Sequence, residues 1–94
     1  MNFTLEQTDQ IRLSAVRILS ANAQTGSFAL STRDLLQMIR ADGFSRLEEA
    51  YLSAQLKYLE GKSLIARASK AITPAIPLWE VTSAGQDFYE AQQR

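Results

Sequence analysis

Leu56-Lys57-Tyr58-Leu59-Glu60-Gly61-Lys62-Ser63-Leu64-Ile65 is the stretch whose reading decides the fold. Leu56 and Leu59 stand at the spacing of one helical face, and Gly61 stands where a helix ends. Leu64 and Ile65 then open Leu64-Ile65-Ala66-Arg67-Ala68, a short run that reads as a strand. A helix therefore passes into a strand within a few residues. Upstream, Ser45 with Glu48 predicts a capping box, so this helix should start there and run through Ala50, Leu52, Leu56 and Leu59 to Gly61. Downstream, residues 70–77 hold Pro74 and Pro77, which lack amide donors and suit a loop or a strand edge. Leu78-Trp79-Glu80-Val81-Thr82 reads as the returning strand, which closes a β-hairpin.

Working outward, a second helix precedes the quoted one. Ser31 or Thr32 can cap it, Asp34 complements its positive end, and Leu35, Leu36 and Ile39 form its inner face. Gly43 falls where a left-handed C-cap belongs. Before it, Gly26 and Ser27 break the helical pattern, and Phe28-Ala29-Leu30 predicts a brief extended segment. A first helix covers residues 4–22, with Thr4 and Gln7 as a capping box and Ile11, Ala15, Ile18 and Leu19 at helical spacing. After the hairpin, Thr82 or Ser83 caps a last helix in which Ala84, Phe88 and Ala91 share a face. The expected order is helix, short strand, helix, helix, hairpin, helix. This is a mostly α chain with a small β-hairpin, organised as a single domain over residues 1–94.

Composition narrows the function. The 94 residues are 46% apolar, enough for one modest core. Ten basic and ten acidic side chains balance, so a polyanion-binding surface has to come from local clustering. There is no histidine and no cysteine, which removes the commonest neutral-pH acid-base group, disulfides and thiolate nucleophiles. Glu48 and Glu49 are adjacent, point about 100° apart on a helix and cannot converge on one atom; they are read as helix-start charges. The four glycines never cluster, so no phosphate-cradling loop is expected. The expectation is therefore a protein that is not an enzyme, with no cofactor, metal or small-molecule substrate. The first nine residues are polar with two acids, and no run is apolar enough for a membrane span. A cytoplasmic protein without membrane contact is expected.

The quoted stretch resembles the hallmark of winged helix-turn-helix domains, where the third helix ends and the first wing strand begins. Val81-Thr82-Ser83-Ala84-Gly85 resembles the passage from the second wing strand into a C-terminal helix. The two matches are correctly spaced, and with the helical order they cover roughly residues 11–91. The resemblance implies a winged helix with a three-helix core, a β-wing and a C-terminal helix. The chain departs from the usual pattern in having Ser63 where glycine normally begins the wing. A narrower similarity is to small winged-helix proteins of Mu-like prophages, in which an aromatic-leucine pair precedes the wing as Tyr58-Leu59 does here; it implies a phage-encoded regulator or genome-handling accessory.

The winged-helix resemblance implies double-stranded DNA as partner, with the third helix in the major groove and the wing on phosphate. Arg46, Ser53 and Lys57 are then nearest the groove. The stretch from Gly61 to Trp79 holds Lys62, Arg67 and Lys70 and no acid, which makes these the candidate phosphate contacts. The third helix argues the other way. Leu52, Leu56 and Leu59 form its core arc, yet Leu47, Ala50, Tyr51, Ala54 and Tyr58 form a second apolar arc where a base reader would carry polar side chains. This second arc either packs on the first or last helix, or makes a protein interface through Leu47, Tyr51, Ala54 and Tyr58. The alternative function is accordingly a winged-helix interaction module, a homodimer or docking adaptor, without DNA binding.

Overall fold

The computed structural model describes residues 3–26, 29–68 and 76–93. Helix α1 spans Leu5–Gln24, strand β1 Leu30–Ser31, α2 Thr32–Ala41, α3 Glu49–Gly61, β2 Ile65–Arg67, β3 Leu78–Val81 and α4 Ser83–Gln92. The order matches the sequence expectation element by element. The Thr4–Gln7 capping box forms in both directions, at 3.0 and 2.9 Å. Ser31 caps α2 by accepting the Asp34 amide at 3.1 Å. Phe28 of the expected extended segment lies outside the described residues, as do Pro74 and most of the hairpin tip.

The three strands form one antiparallel sheet in the order β1-β3-β2. Leu30 pairs with Trp79, and Ile65, Ala66 and Arg67 pair with Val81, Glu80 and Trp79. Antiparallel partners point to the same side of a sheet. Ile65, Arg67, Trp79 and Val81 therefore share one face, and Ala66 and Glu80 the other. Trp79 is 3% exposed, and its indole N–H donates to Thr32 Oγ1 at 2.9 Å. The middle strand is thereby tied to the first residue of α2, and the buried N–H is satisfied.

One core holds these elements together. It gathers Ile11, Ala15, Val16, Ile18 and Leu19 of α1, Leu35, Leu36 and Ile39 of α2, Leu52, Leu56 and Leu59 of α3, with Leu47, Ile65 and Trp79. A polar tie adds to it where α1 meets the end of α2. Asp42 accepts from the Ser14 hydroxyl at 2.9 Å and from Arg17 at 2.8 Å. The Ser14 hydrogen bond first, and then Arg17, hold its carboxyl below the usual carboxylate range.

The start of α3 differs from expectation. The Ser45–Glu48 capping box does not form; Glu48 occupies the N-cap without a side-chain cap bond, and the helix begins at Glu49. The cause is Leu47, which is fully buried. Sending that side chain into the core between α2 and α3 takes a turn, in which the Leu47 amide donates to Phe44 O at 3.0 Å and Arg40 Nε donates to Leu47 O at 2.8 Å. Ala84, Phe88 and Ala91 do share a face, but it points outward; the inward residues are Gly85 and half-buried Tyr89.

The end of α3 explains the Ser63 departure. The Ser63 amide donates to Glu60 O at 2.9 Å and the Leu64 amide to Leu59 O at 3.0 Å, the paired bonds of a Schellman ending. That motif needs a left-handed residue, and Ser63 supplies it at φ 62°. A non-glycine residue pays roughly 1–2 kcal/mol there, partly offset by the stiffer unfolded chain. Ser63→Gly should therefore stabilise the protein by about 0.5–1 kcal/mol. A lowered urea midpoint would show that the serine side chain contributes more than its backbone strain costs.

Candidate nucleic-acid interface

Helix α3 divides into three sides. Leu52, Gln55, Leu56 and Leu59 are buried. Tyr51 and Tyr58 turn toward α1, where Tyr51 O–H pairs with Thr8 Oγ1 and its ring lies 5.0 Å from that of Phe3. Arg12 of α1 places its guanidinium 3.7 Å from the Tyr58 ring centre and donates to Gln55 Oε1 at 2.7 Å. The remaining side carries Glu49, Ser53, Lys57 and Glu60 next to the wing and α2, with exposed Ala50 and Ala54 on the outermost line.

The expected protein-interface arc is therefore broken up. Leu47 is core, because it fills the space before α3. Tyr51 is half-buried, paired with Thr8 of α1 and packed on Phe3 just before that helix, so the two aromatic residues are partners of each other. Ala54 and Tyr58 are exposed, Tyr58 at 45%, but the first faces outward and the second faces α1.

The expected DNA-contacting residues separate in the same way. Arg46 is exposed in the turn before α3, Ser53 is half-buried, and Lys57 is exposed one turn further on. Ser53 lines a recess of about 590 Å³ with Ser31, Thr32, Arg33, Glu49 and Pro77, where the starts of α2 and α3 meet the base of β3. Arg67, on the wing, is exposed; its Nε lies 3.6 Å from Glu60 Oε2, and its guanidinium lies 5.4 Å from the Trp79 ring centre. Lys62 goes elsewhere. Its ammonium is 5.6 Å from the Tyr58 ring, and it lines a groove of about 860 Å³ between α1, the end of α3 and α4. Lys70 lies outside the described residues.

Arg33 was missed by sequence reasoning, although it had a signal. It is the second residue of α2, where a cation opposes the positive end of the helix dipole. It is exposed and lines the same recess as Ser53, which makes it a further candidate. Among the described residues no group of three or more acidic side chains is placed to hold a metal ion, and no helix there is long and apolar enough to cross a membrane.

Three helices around one core, a strand-paired wing and a following helix make this a winged helix. The same fold is found in the crystal structure of a PadR family transcription regulator from hypervirulent Clostridium difficile R20291, with a TM-score of 0.69 and 23% identity, over 88% of this chain and 82% of that one. No protein-family model matches the sequence, and no curated protein sequence does.

Proposed function

We propose that this protein is a DNA-binding regulator of transcription that reads duplex DNA with α3 and holds its backbone with Arg33, Arg46, Lys57 and Arg67. The observation that carries this reading is the side of α3 between α2 and the wing. Arg33, Lys57 and Arg67 border it from α2, α3 and the wing, interspersed with Glu49 and Glu60, and Ala50 and Ala54 leave its outermost line low enough for close approach to a groove. The PadR family protein that shares this fold is a transcription regulator, which agrees with this use of the fold. The similarity at Tyr58-Leu59 supports a phage-encoded member.

The test is binding to a random duplex at about 50 and 200 mM salt. A few phosphate contacts should weaken binding by tenfold or more over that range. Absence of binding at the lower salt would reject the reading.

A second surface supports action as a homodimer. In the groove between α1 and α4, Tyr58 and Phe88 are 45% and 37% exposed. Glu6 and Asp9 line it from α1 and Lys62 from the end of α3. A patch with both signs around an apolar centre can pair with its own copy across a two-fold axis. Phe88→Glu should convert a dimer to a monomer by light scattering. A monomer for the parent protein would instead favour the second reading, in which the same groove docks a different protein.

A further inference from the structure

Glu60 stands at an unfavourable place. It lies in the last turn of α3, whose final turn carries no basic residue, so its carboxylate faces the negative end of the helix dipole. Its partner is Arg67, at 3.6 Å, with side-chain exposures of 38% and 54% for Glu60 and Arg67. Among the described residues of β2 and β3, Arg67 is the one cation. It leaves the sheet on the face of Trp79, which lies beneath its guanidinium. The wing's described cation is thus held toward α3 by a carboxylate, on the side of the helix that Ser53 and Lys57 occupy.

We propose that Glu60 is a built-in competitor of DNA phosphate for Arg67, so that random duplex is bound without the wing arginine and a fitting site is bound with it. This rests on the DNA-binding reading above. A carboxylate and a phosphate oxygen are alternative acceptors for one guanidinium fork. An exposed ion pair of this kind is weak enough to be exchanged, and a phosphate can take Glu60's place only where the backbone passes close to the junction of α3 and β2. A duplex held loosely or out of register offers a phosphate too weakly to displace Glu60, and leaves the pair closed while the carboxylate is there. Glu60 therefore widens the difference between fitting and random DNA by penalising the random one.

The experiment is a double-mutant cycle on random duplex, read by fluorescence anisotropy between about 50 and 200 mM salt, using the parent protein, Glu60→Gln, Arg67→Gln and the double variant. Glu60→Gln should tighten binding about three- to tenfold at the lower salt and steepen the salt dependence by roughly 0.9 in log–log slope, the value of one added phosphate contact. In the Arg67→Gln background the same change should have less than a twofold effect. Thermal unfolding should show Glu60→Gln at least as stable as the parent, since it removes an anion from a helix end. An equal gain in both backgrounds would mean that Glu60 acts only as a distant negative charge, and it overturns the competitor. Unchanged or weaker binding by Glu60→Gln overturns it as well. If none of the four proteins binds duplex, the DNA-binding reading falls and takes the competitor with it.

Discussion

Gly85→Ala should cost about 3 kcal/mol or more, a loss at or beyond the upper end of ordinary overpacking. A methyl group added at this position would lie 2.0 Å from the Leu64 carbonyl oxygen, 2.7 Å from Val81 Cγ2 and 3.0 Å from the Leu64 carbonyl carbon. Two of these atoms are backbone, so no rotamer change relieves the clash. Moving Leu64 away disturbs a closed set of bonds: the Thr82 amide donates to Leu64 O at 3.1 Å, the Thr82 hydroxyl donates to Ser63 O at 2.6 Å, and the Gly85 amide donates to Thr82 Oγ1 at 3.0 Å. Thr82 thus caps α4 and fastens it to the start of β2, and Gly85 lets the helix come close enough for that. For a domain of this size the loss corresponds to a fall of roughly 12–24 °C in melting temperature. Gly61→Ala is the comparison. A methyl there meets nothing within 4 Å, and alanine is the better helix former, so that variant should melt at or above the parent. A Gly85→Ala protein that melts within a few degrees of the parent would show that α4 can tilt away without loss.

The same residues show what the sequence could and could not reveal. Thr82 and Gly85 were legible as a motif, and the clash is its physical content: a cap three residues before a glycine is a device for close approach. Helix positions were legible because Thr4, Ser31 and Thr82 are local signals that nothing overrides. The start of α3 was not. Ser45 and Glu48 satisfy the local rule for a capping box, but burying Leu47 outweighs a surface cap worth about 1 kcal/mol. The second apolar arc of α3 was equally ambiguous. Tyr51 alone does not say whether it meets α1 or solvent; Thr8 and Phe3 decide it, from sites 43 and 48 residues away in sequence. The candidate interface was legible in part for the same reason. Ser53 and Lys57 could be placed on α3 from helical spacing, whereas Arg46 falls in the turn before the helix, and Lys62 was grouped with Arg67 by closeness in sequence and is separated from it by the turn at Ser63.

This separation makes the second large effect specific. Arg33→Glu combined with Lys57→Glu should lower affinity for duplex DNA by 100-fold or more and reduce the log–log salt slope by about 1.8, the loss of two phosphate contacts. Both side chains are exposed and neither makes a described hydrogen bond or ion pair through its side chain, so the fold should survive the change. Lys62→Glu, which reverses a charge in the groove between α1 and α4, should change DNA binding far less. Stability gives an independent sign. Glutamate at position 33 complements the positive end of α2, and should raise stability by about 0.3–1 kcal/mol relative to a neutral residue there. An arginine retained purely for folding would weaken the protein when reversed. A variant that melts higher and binds DNA worse identifies Arg33 as a residue that trades stability for binding. Equal loss of affinity from Lys62→Glu would instead mean that only net charge matters, and the surface between α2, α3 and the wing would lose its claim to the DNA.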